Sequence, residues 1–472
     1  MSRLFSDHPQ ALRVLFFTEM WERFSYYGMR GLLVLYLVNG IEIPRESALE
    51  IYATYTGLVY ATAVFGGYLA DRWLGAQRAI FIGAILMAMG HFAMAVPSLL
   101  YFALGLLIVG NGLFKPNISM LVGTLYAASD SRRDAGFTIF YMGINLGAFL
   151  APLVCGTLGQ MYGWHVGFGA AGLGMLAGFV IFARGQKRLQ ADAVSPVTST
   201  RSINMLATFG LSVGLIVIVG IIVLMWSSIS SGWNQLSAPA KLSSVGLFLV
   251  IAISLLLRNL ARSDFGRVSV VLILEVFVIF FWMGFEQAGG TMSLFADTQT
   301  DRVVAGVEIP TVYFQSLNPL FIILLAPFFS LLWTYLDRSA FALSPILKQA
   351  LGMVILGIGF VILAIAQGRA ESIGPVSPLW LVCVFFFHTA GELCLSPIGL
   401  STVSRLAPVQ FAGAMMGIWF LTVAFANYFA GMLENILAQS GINLYWFLVA
   451  SSIGAGFLLA LISPLLHRLM RG

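Results

Sequence analysis

Long apolar stretches recur along the whole chain. A helix needs about 20 mostly apolar residues to cross a bilayer. Fourteen runs meet that length approximately, over residues 14–39, 51–71, 79–97, 100–126, 136–159, 164–183, 203–228, 243–258, 268–292, 312–336, 346–368, 378–404, 410–434 and 443–467. Backbone polar groups in lipid must be satisfied within the segment, so the runs are expected to be helices. Composition agrees: 59% of the 472 residues are hydrophobic and 10% charged, against roughly 45–50% and 25% in soluble domains. A soluble enzyme, a secreted disulfide scaffold and a nucleic-acid binder are excluded. Cys155, Cys383 and Cys394 all lie in apolar runs, without CxxC or Cys/His metal spacing, so neither disulfides nor a metal site is expected. The polar leader and the length of the first run do not fit a signal peptide.

Orientation follows from the basic residues. With both termini cytoplasmic, Arg45, Lys241, Arg302 and Arg369 fall on the outer face and Arg23, Arg30 and Lys115 inside spans, which leaves 18 of the 25 Lys and Arg on the cytoplasmic face. That bias favours both termini inside, hence an even number of spans. The longest polar stretch, about 184–202, separates six spans from a middle pair and six more. We expect an N-terminal six-helix bundle over 1–184, a linker and extra helix pair over 185–267, and a C-terminal six-helix bundle over 268–472. Six plus six around a midplane site is the layout of the major facilitator fold. The segment GGYLADRWLG, with Asp71 and Arg72, resembles that superfamily's loop between spans two and three.

Charges inside spans carry the functional signal. They are Glu19, Glu22, Arg23, Arg30, Lys115, Glu275, Glu286 and Glu392. Each would cost about 2.5–3.5 kcal/mol at a lipid-facing helix centre. Together that is roughly 20–28 kcal/mol, more than a typical folding stability, so most must face a water-filled cavity and pair. Glu275 is expected near the cytoplasmic end of its helix, in a structural role. On the first span Glu19, Glu22, Arg23, Tyr26, Tyr27 and Arg30 form a polar stripe about three turns long. A carboxylate whose Arg neighbour moves away can bind or release a proton, and Glu22 beside Arg23 has the composition of such a switch. Lys115 lies in GNGLFKPNIS, where Pro116 can free a backbone carbonyl; its compact charge suits a carboxylate. Glu392 lies in HTAGELCLSPIGL with His388 one turn before, read as packing. Basic groups on one bundle facing Glu286 and Glu392 on the other would hold a zwitterion end to end.

These residues are similar to a known family. Glu19-Met-Trp-Glu22-Arg23-Phe24-Ser25-Tyr26-Tyr27-Gly28 resembles the ExxERFxYYG motif of the proton-coupled oligopeptide transporters. Phe140 to Gly147 (FYMGINLG) resembles the FYxxINxG signature, and the KPN and GELxxSPxG elements match as well. The resemblance spans essentially the whole chain and implies the bacterial form: an all-α polytopic protein of the major facilitator fold with 14 transmembrane helices, in the bacterial inner membrane. It implies import of di- and tripeptides with protons by alternating access. Arg30 and Lys115 would hold the peptide carboxylate and Glu392 its amine. Glu19, Glu22, Arg23 and Glu286 would couple protons. Lys115–Glu392 and Arg30–Glu286 would be gating ion pairs. Tyr27, Tyr60, Asn145, Trp282, Asn318 and Trp419 would line the pocket, with packing as the plain alternative for each aromatic.

The second span carries no histidine of the kind seen in animal relatives, so proton binding must rest on carboxylates. The alternative function is transport of another small anionic or peptide-like solute on the same fold; plant relatives that carry nitrate often lack the full set that Arg30, Lys115 and Glu392 make here. An enzyme is not expected: Gly210-Leu211-Ser212-Val213-Gly214 matches GxSxG but lies in an apolar run, not a strand-to-helix elbow. The GxxxxGK[ST] phosphate loop is absent. No cofactor, metal or nucleic acid is expected, and the functional unit is expected to be a monomer. The middle helix pair is expected to be peripheral to transport.

Overall fold

The computed structural model describes residues 5, 7–127, 130, 132–194, 205–258, 260–261, 264–338, 342–408, 412–438 and 440–471. Arg3, Arg201 and Arg262 of the charge count lie outside them. Two compact units emerge, Met1–Ile43 with Leu58–Gln235, and Pro44–Gly57 with Leu236–Gly472.

The first unit holds α1 (Gln10–Leu35), the later part of α2 (Arg45–Leu69), α3 (Ala76–Ala93), α4 (Leu100–Thr124), α5 (Arg133–Tyr162), α6 (Trp164–Ala191) and α7 (Met205–Asn234). α6 runs further than the 164–183 expected: it carries Arg184, Lys187 and Arg188 into the polar stretch as helix. The charges sit on its exposed end, where helix costs nothing in lipid.

The second unit holds the start of α2, then α8 (Ala238–Leu256), α9 (Phe265–Phe285), α10 (Thr291–Thr298), the two-residue strands β1 (Val303–Val304) and β2 (Val307–Glu308), α11 (Leu317–Asp337), α12 (Pro345–Ile373), α13 (Leu379–Leu406), α14 (Ala412–Ala438) and α15 (Leu444–Arg471). The seventh expected span, 268–292, is broken. α9 ends at Phe285, Glu286–Gly289 form one tight turn, and α10 begins after Gly290.

Each of the other expected spans contains one long helix; residues 203, 204, 410 and 411 of them lie outside the described residues, and the span 312–336 opens with a tight turn over Thr311–Ser316. Eleven helical runs among the described residues are long and apolar enough to cross a membrane. α1 is not among them, because Glu19, Glu22, Arg23 and Arg30 interrupt its apolar run. The outward faces are apolar: Leu224 on α7 and Leu331 on α11 are 82% and 73% exposed. Apolar exposure on that scale marks a membrane-facing surface.

Glycines set the closest helix contacts. A Cβ on Gly147 of α5 would lie 2.1 Å from the Met20 carbonyl oxygen of α1. One on Gly66 of α2 would lie 1.9 Å from the Gly112 carbonyl oxygen of α4. Pro116 lies inside α4 and cannot donate to that Gly112 carbonyl, four residues earlier. The freed oxygen abuts the Cα of Gly66, so the GGYLADRWLG and GNGLFKPNIS segments meet through this pair. In the second unit Gly352 of α12 and Gly391 of α13 face each other the same way, each Cβ position 2.7 Å from the other's carbonyl oxygen. α7 packs on α4, where Gly105 seats Val219, and α8 packs on α14, where Gly246 meets Phe425.

Candidate functional site

In the first unit, α1 and α4 bring two carboxylates and two cations together. The Glu22 carboxylate is held by the Arg23 guanidinium, with Nε donating to Oε2 and Nη2 to Oε1 at 2.5 Å. This two-point geometry fixes direction as well as distance. Asn111 Nδ2 on α4 donates to Glu22 Oε1 at 3.2 Å. Glu19 Oε1 lies 3.5 Å from Arg23 Nε and 3.6 Å from Lys115 Nζ. Both contacts are longer than an ordinary charged hydrogen bond, and neither Glu19 oxygen has a hydrogen bond among the described residues. Glu22 is therefore gripped and Glu19 is held by charge alone. Both are fully buried and Arg23 nearly so, whereas the Lys115 side chain is 29% exposed. The set is charge-balanced, which is how buried charges persist. The Arg23 guanidinium carbon also stands 4.8 Å from the Tyr26 ring centre.

Arg30 lies two turns further along α1, mostly buried, 6.0 Å from the Tyr27 ring. Asn145 on α5 is buried, and its amide donates to the Tyr141 carbonyl one turn back at 3.0 Å. Tyr27 and Tyr60 are partly exposed.

In the second unit, Asn318 of α11 reaches Glu392 of α13. Its Nδ2 donates to Glu392 Oε2 at 2.9 Å and to Thr389 Oγ1 at 3.1 Å. Asn318 and Glu392 are partly exposed and Thr389 is fully buried. Glu286 is buried at the break after α9, close enough for Glu392 to feel its charge. Backbone broken at membrane depth commonly lines a site. Trp282, one turn earlier, packs edge-on against Phe281 and Phe285, and its indole N–H has no partner among the described residues. Trp419 of α14 is buried over Gly399 of α13, where a Cβ would lie 2.7 Å from the indole ring. The glycine of the SPIGL segment is thus a seat for Trp419.

The structure therefore joins Glu19, Glu22, Arg23 and Lys115 in one cluster, and Asn318 with Glu392 in another. The residues expected to form gating pairs belong to different units. Within its own unit Lys115 contacts Glu19 and Glu392 contacts Asn318.

His388 is buried, has no hydrogen bond on its ring among the described residues, and lies 4.5 Å from Phe360, centre to centre, as a packing group. Glu275 differs from expectation. It sits ten residues into α9, about 15 Å from the helix start, buried with Thr422 of α14 as its polar neighbour. Sequence reading missed Asn111 and Thr389. Asn111 had a signal: an amide one turn before Lys115, on the same face of an apolar helix.

The family model described as POT family matches residues 77–447. Peptide transporter YePEPT of Yersinia enterocolitica is 41% identical, over 99% of this chain and 96% of its own. The di-/tripeptide transporter of Lactococcus lactis is 36% identical, over 99% and 98%. A crystal structure of a variant of peptide transporter POT in complex with alafosfalin superposes with a TM-score of 0.83 at 37% identity, over 98% of this chain and 96% of that one. These relatives are membrane transporters rather than enzymes, and their helices are arranged in the major facilitator fold. The chain belongs to the POT family.

Proposed function

We propose that this protein is a proton-coupled symporter that imports di- and tripeptides by alternating access. It would work as a monomer in the bacterial inner membrane with both termini cytoplasmic. The observation that carries this reading is the contact of buried Glu19 with partly exposed Lys115, 3.6 Å apart in a charge-balanced cluster. A proton on Glu19 removes the counter-charge of Lys115, which is then available to a peptide carboxylate. Arg30 would share that carboxylate. Glu392, oriented by Asn318, would take the terminal ammonium, and Tyr27, Tyr60, Asn145, Trp282, Asn318 and Trp419 would enclose the peptide. Glu22, Arg23 and Glu286 complete the proton-coupling set. Lys115–Glu392 and Arg30–Glu286 would form as the cavity closes. The bundles would be 1–184 and 268–472, with 185–267 as linker and extra pair.

The relatives named peptide and di-/tripeptide transporters support the substrate class. The test is uptake of labelled dialanine into proteoliposomes with and without an inward proton gradient, beside Glu22→Gln. Gradient-driven uptake in the wild type, lost in the variant while counterflow exchange persists, is expected. Absence of saturable dialanine uptake under any gradient would remove the peptide assignment and favour another small anionic solute.

A further inference from the structure

We propose that Thr389 is a positioning residue for peptide amine recognition: it locks the Asn318 amide so that Glu392 keeps one oxygen occupied and presents the other to the ligand. The inference rests on the reading of Glu392 as the group that takes the peptide's ammonium.

The hydrogen bonds fix their own directions. Thr389 Oγ1 lies 2.7 Å from the Phe385 carbonyl oxygen one turn back. A carbonyl only accepts, so the hydroxyl proton of Thr389 is committed there. Its oxygen then offers only lone pairs, and the Asn318 group facing it at 3.1 Å must be the NH2. The second hydrogen of the same NH2 goes to Glu392 Oε2 at 2.9 Å. A turned amide would set its carbonyl oxygen against Thr389 and Glu392 together, with no proton available from the hydroxyl. Thr389 thus decides which end of Asn318 faces Glu392. Among the described residues no hydrogen bond reaches Glu392 Oε1, and Glu392 is partly exposed where Thr389 is fully buried. Oε1 is the oxygen left for an ammonium group, and its direction is set by the pair behind it.

Without the hydroxyl, Asn318 loses the acceptor that holds it and the carboxyl loses its fixed orientation. Thr389→Val keeps shape and removes only the hydroxyl. It should raise KM for dialanine about fivefold, the scale of one hydrogen bond, with Vmax little changed. The inhibition constant of N-acetyl-dialanine, which has no ammonium, should move less than about twofold by the same reasoning. Thr389→Ser should restore the wild-type KM. In an Asn318→Ala background Thr389→Val should add nothing, because the hydroxyl acts through that amide. A packing role would weaken both ligands alike and persist without Asn318. If Thr389→Val is poorly folded, Thr389→Ala repeats the test.

An unchanged KM in a folded variant, equal weakening of the blocked ligand, or a full effect in the Asn318→Ala background overturns the proposal. Wild-type vesicles without dialanine uptake would instead overturn the peptide reading, and the proposal with it. Wild-type uptake with an indifferent Thr389→Val sinks the proposal alone.

Discussion

Replacing Glu19 by Gln isolates the charge that keeps Lys115 from its proposed ligand. At 3.6 Å, two unit charges interact by roughly 4–5 kcal/mol in a medium of effective dielectric about 20. A proton crossing 100 mV supplies about 2.3 kcal/mol. The attraction that a proton on Glu19 cancels is therefore about twice the energy the proton brings, so protonation and release of Lys115 are tightly linked. Glu19→Gln makes the release permanent. Two consequences follow. The KM for dialanine should lose its dependence on external pH, because Lys115 is free at every pH. Accumulation should also collapse: a proton-driven carrier of a neutral zwitterion reaches roughly 50-fold per proton at 100 mV, and the variant should only equilibrate. Exchange of labelled for unlabelled dialanine should persist, since nothing in the transport path is removed. The assay is paired uptake and counterflow in proteoliposomes over a range of external pH. A Glu19→Gln protein that still concentrates dialanine, or whose KM tracks pH as in the wild type, would refute the assignment of Glu19 as the proton-sensitive partner of Lys115.

Glycine substitutions should change sign with position. Gly147→Ala places a Cβ 2.1 Å from the Met20 carbonyl oxygen, so α5 must shift by about 1 Å from the Glu19–Glu22 segment, at about 1–3 kcal/mol or more. Gly214→Ala on α7 meets nothing within 4 Å and should stabilise by up to about 1 kcal/mol; melting in detergent with equal shifts for the two would contradict the packing argument. Lys241 on α8 donates to Glu50 on α2 at 2.5 Å, with side chains 7% and 27% exposed. Lys241→Met should lower stability by about 1 kcal/mol, less than a fully buried pair because Glu50 stays partly hydrated, and leave dialanine KM unchanged. A changed KM would show that the extra helix pair takes part in transport.

The helices were legible because lipid leaves the backbone one solution, and length and apolarity are local quantities. The charge stripe on α1 was legible for the same reason reversed: a polar residue inside an apolar run is conspicuous. What escaped depends on neighbours that sequence does not display. The end of α6 was hidden by Arg184, Lys187 and Arg188, which mark where the membrane stops and say nothing of where the helix stops. The break after α9 had its signal in Gly289 and Gly290, beside Glu286, but the length of the mostly apolar run outweighed it. Glu275 looked tolerable only if it reached the surface. Its position three turns into α9 beside Thr422 depends on α14, more than a hundred residues away. Asn111 and Thr389 show the same limit at finer grain. Neither is charged, so neither stands out, yet each sets the direction of a hydrogen bond to a carboxylate or to its partner amide. Charge in a membrane helix announces a site, whereas the neutral groups that aim it become visible only once the helices carrying them are side by side. Substitutions at Asn111 and Thr389 should therefore alter affinity and coupling while leaving the helices intact, and the reverse is expected of Gly147.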